Sequence, residues 1–331
     1  MSDDAPSGTE ASTPISDDEW PKEAREDWVI QMMDLAASWS GDDDLYHYTT
    51  IDGLLGILDS GRLWGTHVAF LNDSRELEYG IEAIHKTLTS AGEQLKSTDT
   101  EPPEDPDLSN GALLQAVGEF IQRHSEVLKP TMGPFVSCLS SSADQLSQWR
   151  GYGKAGGYAI RFDPKKLDSI RHVTKEGNTL KGPDPVLVKV RYLTAFQDEI
   201  LQMAYDYIAD VLKIDSGADD EEQSKIRTDG QVKLFKKVLE IAPQIKHKSF
   251  AEEREYRIIT RGVEQFYSPS KIGLIPRTLV QFDRDAIKEI MVGPGEFSDL
   301  RKLSLERYLD RHRSLYPNVV VTVSDVPYRD L

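Results

Sequence analysis

The sequence predicts an α+β fold in which a mixed, mostly antiparallel β core carries large helical insertions. Short runs of β-branched and aromatic residues recur along the chain, for example at 45–49, 134–140 and 158–162. Two long amphipathic stretches, at about 195–213 and 230–245, separate the later strands. Strands and helices do not alternate regularly, as the βαβ units of a doubly wound parallel sheet require, so we expect antiparallel pairing.

The domain organisation is expected to be simple. Residues 1–19 are rich in Ser, Asp and Pro and predict a disordered acidic tail, after which a helix should begin at Pro21. Residues 20–331 then form a single α+β domain, with a proline-rich surface loop at 97–110 and a helical insertion at 195–247. Further strands are expected at 186–192, 256–260, 278–282, 289–292 and 319–323, and further helices at 76–95, 111–128 and 297–314.

Composition excludes several classes of protein. The 331 residues include 39% hydrophobic residues, enough for a real core, but no apolar run long enough to span a bilayer. The N-terminus is acidic where a signal peptide needs a basic segment, so we expect a cytoplasmic protein without a membrane partner. The single cysteine, Cys138, excludes an internal disulfide framework.

The charge is strongly negative. A net charge of −17 argues against unaided binding to nucleic acid over a broad surface. Much of the excess lies in expected loops, however, which leaves room for a local basic site around Lys246, Lys248, Arg254 and Arg257.

The stretch 45–64 has the clearest local signals. Residues 45–49 alternate as a strand carrying His47, and Thr50 or Asp52 can cap a following helix that stops at Gly61. The apolar residues expected on the buried side of that helix are Leu54, Leu55, Ile57 and Leu58. His47 is therefore placed beside a helix N-terminus, which suits a ligand carrying phosphate or carboxylate.

The segment 151–156 spells G-x-G-x-x-G, but a dinucleotide fingerprint needs a strand before the glycines and a helix after them. Here a helical or turn segment precedes and a strand follows, so we reject that interpretation. Two readings stay open: a glycine-rich turn that forms an anion-binding concavity, or a plain loop.

Histidine and cysteine offer few candidates. Taken alone, His47 is more often a structural histidine than a catalyst, although its place beside a helix N-terminus narrows that difference. Cys138 lies in the middle of a strand and is expected to be inert core. The other histidines show no ligand spacing, so no metal is predicted.

The charged run from Glu252 to Arg257 has two interpretations. It can be a solvated strand edge with exchangeable ion pairs. If the strand begins near Glu253, however, period two puts Glu253, Glu255 and Arg257 on one face. Carboxylates there suit a reaction with an oxocarbenium-ion transition state, whose charge they can stabilise without covalent chemistry.

Five separated motifs, in order, resemble the DUF2971 family over about residues 45–328. They are Tyr46-His47-Tyr48-Thr49 with Gly61-Arg62-Leu63-Trp64; Leu71-Asn72-Asp73 and Glu76; Ser137-Cys138-Leu139-Ser140 leading to Gln148-Trp149-Arg150-Gly151-Tyr152 and Gly157; Lys248 with Glu253-Arg254-Glu255-Tyr256-Arg257; and Ser324-Asp325-Val326-Pro327-Tyr328. The family is named for an unknown function.

More distantly, the chain resembles the ADP-ribosyltransferase superfamily, whose core is a split sheet. The resemblance implies that His47 and Thr49 bind a ribose of NAD, and that Glu253 or Glu255 steers the transfer. It places Ser137 or Ser140, together with Trp149 and Tyr152, beside the nicotinamide. The large helical insertions depart from the superfamily pattern, and an acceptor-recognition motif before the glutamates is not evident.

The leading hypothesis is an NAD-binding protein that transfers ADP-ribose to a protein or nucleic acid, or hydrolyses NAD, in bacterial phage defence or a toxin–antitoxin system. Glu255 and Glu253 are the catalytic candidates, and NAD is a substrate. One alternative is a non-catalytic nucleotide-binding sensor or scaffold. The other is a nucleic-acid-acting enzyme, either a nuclease or a base modifier.

Overall fold

The computed structural model describes residues 43–71, 74–98, 109–153, 156–180, 184–192, 196–212, 220–261 and 265–327. The predicted tail at 1–19, the helix predicted from Pro21 and most of the predicted loop at 97–110 lie outside them. The described residues form a mixed α/β structure around an open, mostly antiparallel sheet, as the sequence predicts.

The strands are β1 (Leu45–Thr49), β2 (Arg62–His67), β3 (Phe135–Ser140), β4 (Tyr158–Phe162), β5 (Arg171–Val173), β6 (Val186–Lys189), β7 (Arg191–Tyr192), β8 (Ile245–Lys246), β9 (Glu255–Thr260), β10 (Phe266–Ser270), β11 (Gly273–Gln281), β12 (Ile287–Val292) and β13 (Val320–Val323). The main helices are α1 (Ile51–Ser60), α2 (Ser74–Thr98), α3 (Asn110–Met132), α4 (Gln197–Leu212), α5 (Asp220–Ile241) and α6 (Ser298–Arg311).

The main sheet has the strand order β10-β11-β2-β3-β1-β4-β12-β13, with β9 beside β3, β6 beside β9 and β5 beside β11. Among the described pairs of this sheet, β12 with β13 is parallel and the others are antiparallel. A separate two-stranded piece joins β7 to β8.

The sheet divides into two branches at β3. Strand β9 pairs along the whole of β3, from Phe135 to Ser140. On the other edge of β3, β2 pairs with residues 135–136 and β1 pairs at Ser140, so the two neighbours diverge from each other between these points. We call β1, β4, β12 and β13 the first branch, and β2, β11 and β10 the second branch.

The unit at 45–61 forms as the sequence predicts. The Thr50 side chain accepts a hydrogen bond from the backbone N–H of Gly53 at 3.3 Å and so caps α1. Gly61 ends the helix with φ 67°, in the left-handed conformation that glycine adopts without a Cβ clash. One expectation is wrong: Leu55 is 47% exposed, because it lies on the outer side of the helix.

The two largest apolar clusters of the described residues form the cores of the fold. The first packs α1 and α6 against the first branch and includes Leu54, Leu305, Phe162 and Ile290. The second joins the four long helices α2 to α5, so the helical segments bury their apolar faces mainly against one another. Among the described helices, none is both long and apolar enough to cross a bilayer.

Several elements differ from the prediction. Strands β2, β5, β8 and β10 are additional, and the second inserted helix begins at Asp220 rather than near 230. Gly65 weakens the strand signal of β2, yet an added Cβ there would lie 2.8 Å from the Thr278 side chain, so the packing requires glycine. The start of α5 is highly charged, and therefore lacks the apolar period by which helices are recognised.

Candidate functional site

A cleft of about 400 Å³ lies at β3, where β1 and β2 diverge from each other. Its lining includes His47, Thr49 and Thr50 from the first branch; Thr66, Ile275 and Arg277 from the second; Cys138 from β3; Tyr152; and Glu76, Lys246, Glu253 and Glu255. A separate depression of about 370 Å³ at residues 141–145, Glu252 and Arg254 shares no lining residue with it.

One wall of the cleft carries a cluster of charges, which we call the acid–base cluster: Glu76, Lys246, Glu253, Glu255 and Arg257. The Lys246 ammonium lies 2.8 Å from Glu76, 2.6 Å from Glu253 and 2.7 Å from Glu255. Arg257 donates to Glu76 at 2.6 Å and to Glu255 at 2.7 Å. Three carboxylates therefore surround two cations, which leaves a formal charge of −1 in a largely buried place.

The cluster keeps Glu255, Lys246 and Arg257 ionised. Burial alone would raise the pKa of Glu255, but Arg257 and Lys246 together lower it to about 2. Burial opposes the charge of Lys246, yet Glu255 and Glu76 outweigh it and raise the pKa of the ammonium. The pKa of Arg257 is raised for the same reason, by Glu255 and Glu76 against the effect of burial.

The two candidate glutamates differ in what they contact. Glu253 ends a short 3-10 turn, Arg254 follows with φ 42°, and β9 begins at Glu255. Both carboxylate oxygens of Glu255 accept hydrogen bonds within the cluster, and its side chain is 7% exposed. Glu253 uses Oε2 for Lys246, makes no hydrogen bond to a described residue through Oε1, and is 20% exposed. Glu253 therefore has the oxygen that a ligand can reach.

His47 lies on the same cleft. Its Nδ1 is 2.9 Å from the backbone oxygen of Cys138, and since a carbonyl can only accept, Nδ1 carries the proton. Burial lowers the pKa of His47 and outweighs the hydrogen bond that raises it. The ring is therefore neutral at pH 7, and its Nε2 is a hydrogen-bond acceptor.

Two further cleft residues are Tyr152 and Cys138. The Tyr152 side chain is 38% exposed at the cleft, and its pKa is raised by burial and by nearby Cys138 and Glu255. Cys138 lines the cleft, so the expectation that it belongs to the core is wrong, because the strand divergence exposes the middle of β3. Burial and Glu255 hold its pKa well above the ordinary value, so the thiol stays protonated.

Three predicted site residues lie behind the walls of the cleft. Ser137 and Ser140 are buried, and their hydroxyls donate to the backbone oxygens of Trp64 at 3.0 Å and of Glu253 at 2.6 Å. Trp149 is fully buried; its indole N–H donates to Asp144 at 2.8 Å, and its ring packs edge-on against Tyr48. Ser140 thus supports the Glu253 turn, and Trp149 supports β1. Direct contact of these three side chains with a nicotinamide stays a prediction.

Sequence reasoning missed the roles of Glu76 and Lys246. Glu76 lies on α2, about 180 residues before Glu255, and the chain carries no local signal that joins them. The predicted local basic site does not form: Lys246 and Arg257 are neutralised by the glutamates, while Lys248 and Arg254 are exposed. Among the described residues, no group of three or more His, Cys, Asp or Glu side chains is arranged to hold a metal ion.

The fold and the cleft thus define a mixed α/β protein with a charged crevice. A family model described as a protein of unknown function, DUF2971, matches residues 148–258, a third of the chain. The matched part includes Lys246, Glu253, Glu255 and Arg257, and it supports the resemblance to that family. No curated protein and no solved structure matches the chain.

Proposed function

We propose that this protein binds NAD in the cleft and is an ADP-ribosyltransferase-like enzyme, which transfers ADP-ribose to a macromolecular acceptor or to water. One observation carries the proposal: His47 from the first strand and the Glu253–Glu255 pair, far apart in sequence, line a single cleft. The division of the sheet into two branches at that cleft supports the resemblance to the split sheet of the ADP-ribosyltransferases.

In the proposed reaction the glycosidic C–N bond of NAD breaks, and its electron pair leaves with neutral nicotinamide. The ribose carbon becomes an oxocarbenium ion, which the acceptor oxygen or nitrogen attacks before losing its proton. Glu253, through its free Oε1, accepts a hydrogen bond from a hydroxyl of that ribose and stabilises the positive charge. Lys246 and Glu255 hold Glu253 in place, which makes Glu255 a positioning residue in this mechanism.

The first branch binds the other half of the ligand. The neutral His47 accepts from a ribose hydroxyl through Nε2, and the N-terminus of α1, beginning at Thr50, faces the phosphates. Thr49, which lines the cleft on the same strand as His47, is the second ribose-binding candidate. Tyr152 is the exposed ring that can flank nicotinamide.

The test is nicotinamide release from NAD by the full chain and by two variants. Glu253→Gln should slow release by about 10²–10³-fold, the usual effect of removing one well-placed stabilising group. Glu252→Gln is the matched control, because Glu252 is exposed and lies outside the cleft. Unchanged release in Glu253→Gln, measured on protein with wild-type unfolding behaviour, would contradict the mechanism.

A second candidate function has its own support. Because Lys246 contacts all three carboxylates, the acid–base cluster offers a transition state less free negative charge than two unpaired glutamates would. This favours the alternative of a nucleotide-binding sensor without catalysis. Stabilisation of the protein by NAD in a thermal melt, without nicotinamide release, would favour the sensor. Activity on nucleic acid that needs Mg²⁺ and no NAD would reject both in favour of a nuclease.

A further inference from the structure

The second branch brings an arginine to the cleft that has no acidic partner. Arg277 lies on β11, lines the cleft and is half-buried. Among the described residues, no carboxylate lies within ion-pairing distance of its guanidinium, in contrast to Arg257 across the site. Burial lowers the pKa of Arg277, and no nearby acid opposes that effect.

Two hydroxyl groups fix the position of Arg277. Its Nε donates to Ser268 Oγ at 2.9 Å, and its Nη1 donates to Thr66 Oγ1. A guanidinium has five N–H donors, so most of them stay available after these two contacts. Both partners are neutral and leave the positive charge uncompensated. Arg277 is therefore a preorganised cation rather than half of a structural ion pair.

The charges of the cleft differ between its walls. The acid–base cluster carries a formal charge of −1, whereas Arg277 adds an uncompensated positive charge. An anionic group that enters the cleft is repelled by the acid–base cluster and attracted by Arg277. The indole of Trp64 does not line the cleft itself but is 48% exposed and lies next to this cation, since the guanidinium carbon is 5.9 Å from the centre of the ring.

We propose that Arg277 is the anion-binding residue of the cleft, and that it holds the phosphate groups of a nucleotide whose aromatic base packs on Trp64. The fork of the guanidinium matches phosphate oxygens, and an indole that is 48% exposed offers the surface on which bases stack. The inference deepens the proposed function, because NAD contains a pyrophosphate. It also orients the ligand, with its phosphates between Arg277 and the N-terminus of α1, which line the same cleft, and with the reacting ribose at Glu253.

The experiment is a calorimetric titration of the full chain with inorganic pyrophosphate, with ADP and with NAD. Arg277→Gln should weaken pyrophosphate and ADP about 10- to 100-fold, the usual effect of losing hydrogen bonds to a charged group. Arg277→Lys, which keeps the charge and the aliphatic stem, should bind with intermediate affinity. Trp64→Leu should weaken ADP while leaving pyrophosphate unchanged.

Arg171→Gln is the matched control, because Arg171 lies on neighbouring β5 and is exposed with an acidic partner, Asp283. The proposal is overturned if wild type binds neither pyrophosphate nor ADP, or if Arg277→Gln binds them as tightly as wild type. It is also overturned if Arg171→Gln loses as much affinity as Arg277→Gln.

The two proposals fail separately. ADP binding that depends on Arg277, without NAD binding or nicotinamide release, would overturn the proposed function and uphold this inference. Nicotinamide release from NAD, together with binding of pyrophosphate and ADP that Arg277→Gln does not weaken, would uphold the proposed function and overturn this inference.

Discussion

The unit at 45–61 and the acid–base cluster face the same cleft but are built by different means. The unit is held by local interactions: a side-chain cap at Thr50, a glycine stop at Gly61 and an apolar helix face. The cluster is held by ion pairs between residues from α2, β8 and β9 and the turn before β9. The first leaves polar groups free for a ligand, whereas the second uses most of its groups internally.

The difference teaches where each kind of function can reside. A group whose hydrogen bonds are all made within the protein orients its neighbours, and a group with an unused donor or acceptor can contact a ligand. In the cluster Glu255 is of the first kind and Glu253 of the second. In the 45–61 unit His47 is of the second kind, through Nε2.

The largest expected effect comes from breaking the cluster. Arg257→Gln removes one of the two cations shared by Glu76 and Glu255, in a place where its side chain is 2% exposed. Truncating one partner of a buried ion pair leaves an uncompensated charge and costs about 3–5 kcal/mol of unfolding free energy. Urea unfolding followed by circular dichroism measures this loss. Arg313→Gln, which breaks an exposed pair with Asp310, should change stability by about 0–1 kcal/mol.

If Arg257→Gln were no more destabilising than Arg313→Gln, the cluster would not be a structural unit. The cluster would then not differ from the 45–61 unit in using its polar groups internally. Glu255 would become as good a catalytic candidate as Glu253.

A smaller effect of the cluster appears on acidification. The pKa of Glu255 is lowered from 4.5 to about 2, so its ion pairs stabilise the fold fully above pH 4.5. Their contribution is lost as the pH falls from 4.5 through about 2, because protons then bind the unfolded chain more tightly than the native one. The unfolding free energy, measured in urea at successive pH values, should fall across this window.

Glu255→Gln supplies the control for the acid transition, because an amide does not titrate in this window. Its unfolding free energy should start lower and fall less steeply between pH 4.5 and 2. An equally steep fall in the variant would place the acid-sensitive group elsewhere in the chain.

The same comparison explains how much the sequence could predict. The strand at 45–49, the cap at Thr50 and the stop at Gly61 depend on neighbouring residues, so local patterns predicted the strand and the stop and narrowed the cap to Thr50 or Asp52. The pairing of Glu76 with Lys246 and Arg257 depends on the packing of α2 against β8, which no local pattern encodes.

Arg277 shows the same limit, since its two anchors are Thr66 on β2 and Ser268 on β10, strands that the sequence signals did not mark. The burial of Trp149 could not be predicted from the sequence either. An aromatic residue in a polar turn gives no sign of whether its ring faces the ligand or the core, and here it is fully buried.

The smallest expected effect tests the local unit. Thr50→Ala removes the side-chain acceptor for the Gly53 N–H and should lower the unfolding free energy by about 1 kcal/mol, the usual cost of losing an N-cap. Ser60→Ala, at the exposed end of the same helix, removes a hydroxyl that donates to the Gly56 oxygen and accepts from the Arg62 N–H but caps no N–H of the first turn, and it should change stability less. Urea unfolding measures both changes in the unfolding free energy, from the shift of the midpoint when the dependence of that free energy on urea concentration is unchanged.

The acid transition distinguishes the two regions further. Because Thr50 belongs to the unit and Glu255 to the cluster, Thr50→Ala should lower stability by the same amount at pH 7 and below pH 4.5. Distant sites add independently, whereas sites in one network do not. A loss in Thr50→Ala that changes with pH in this window would show that the capped helix and the buried charges act as one unit across the cleft.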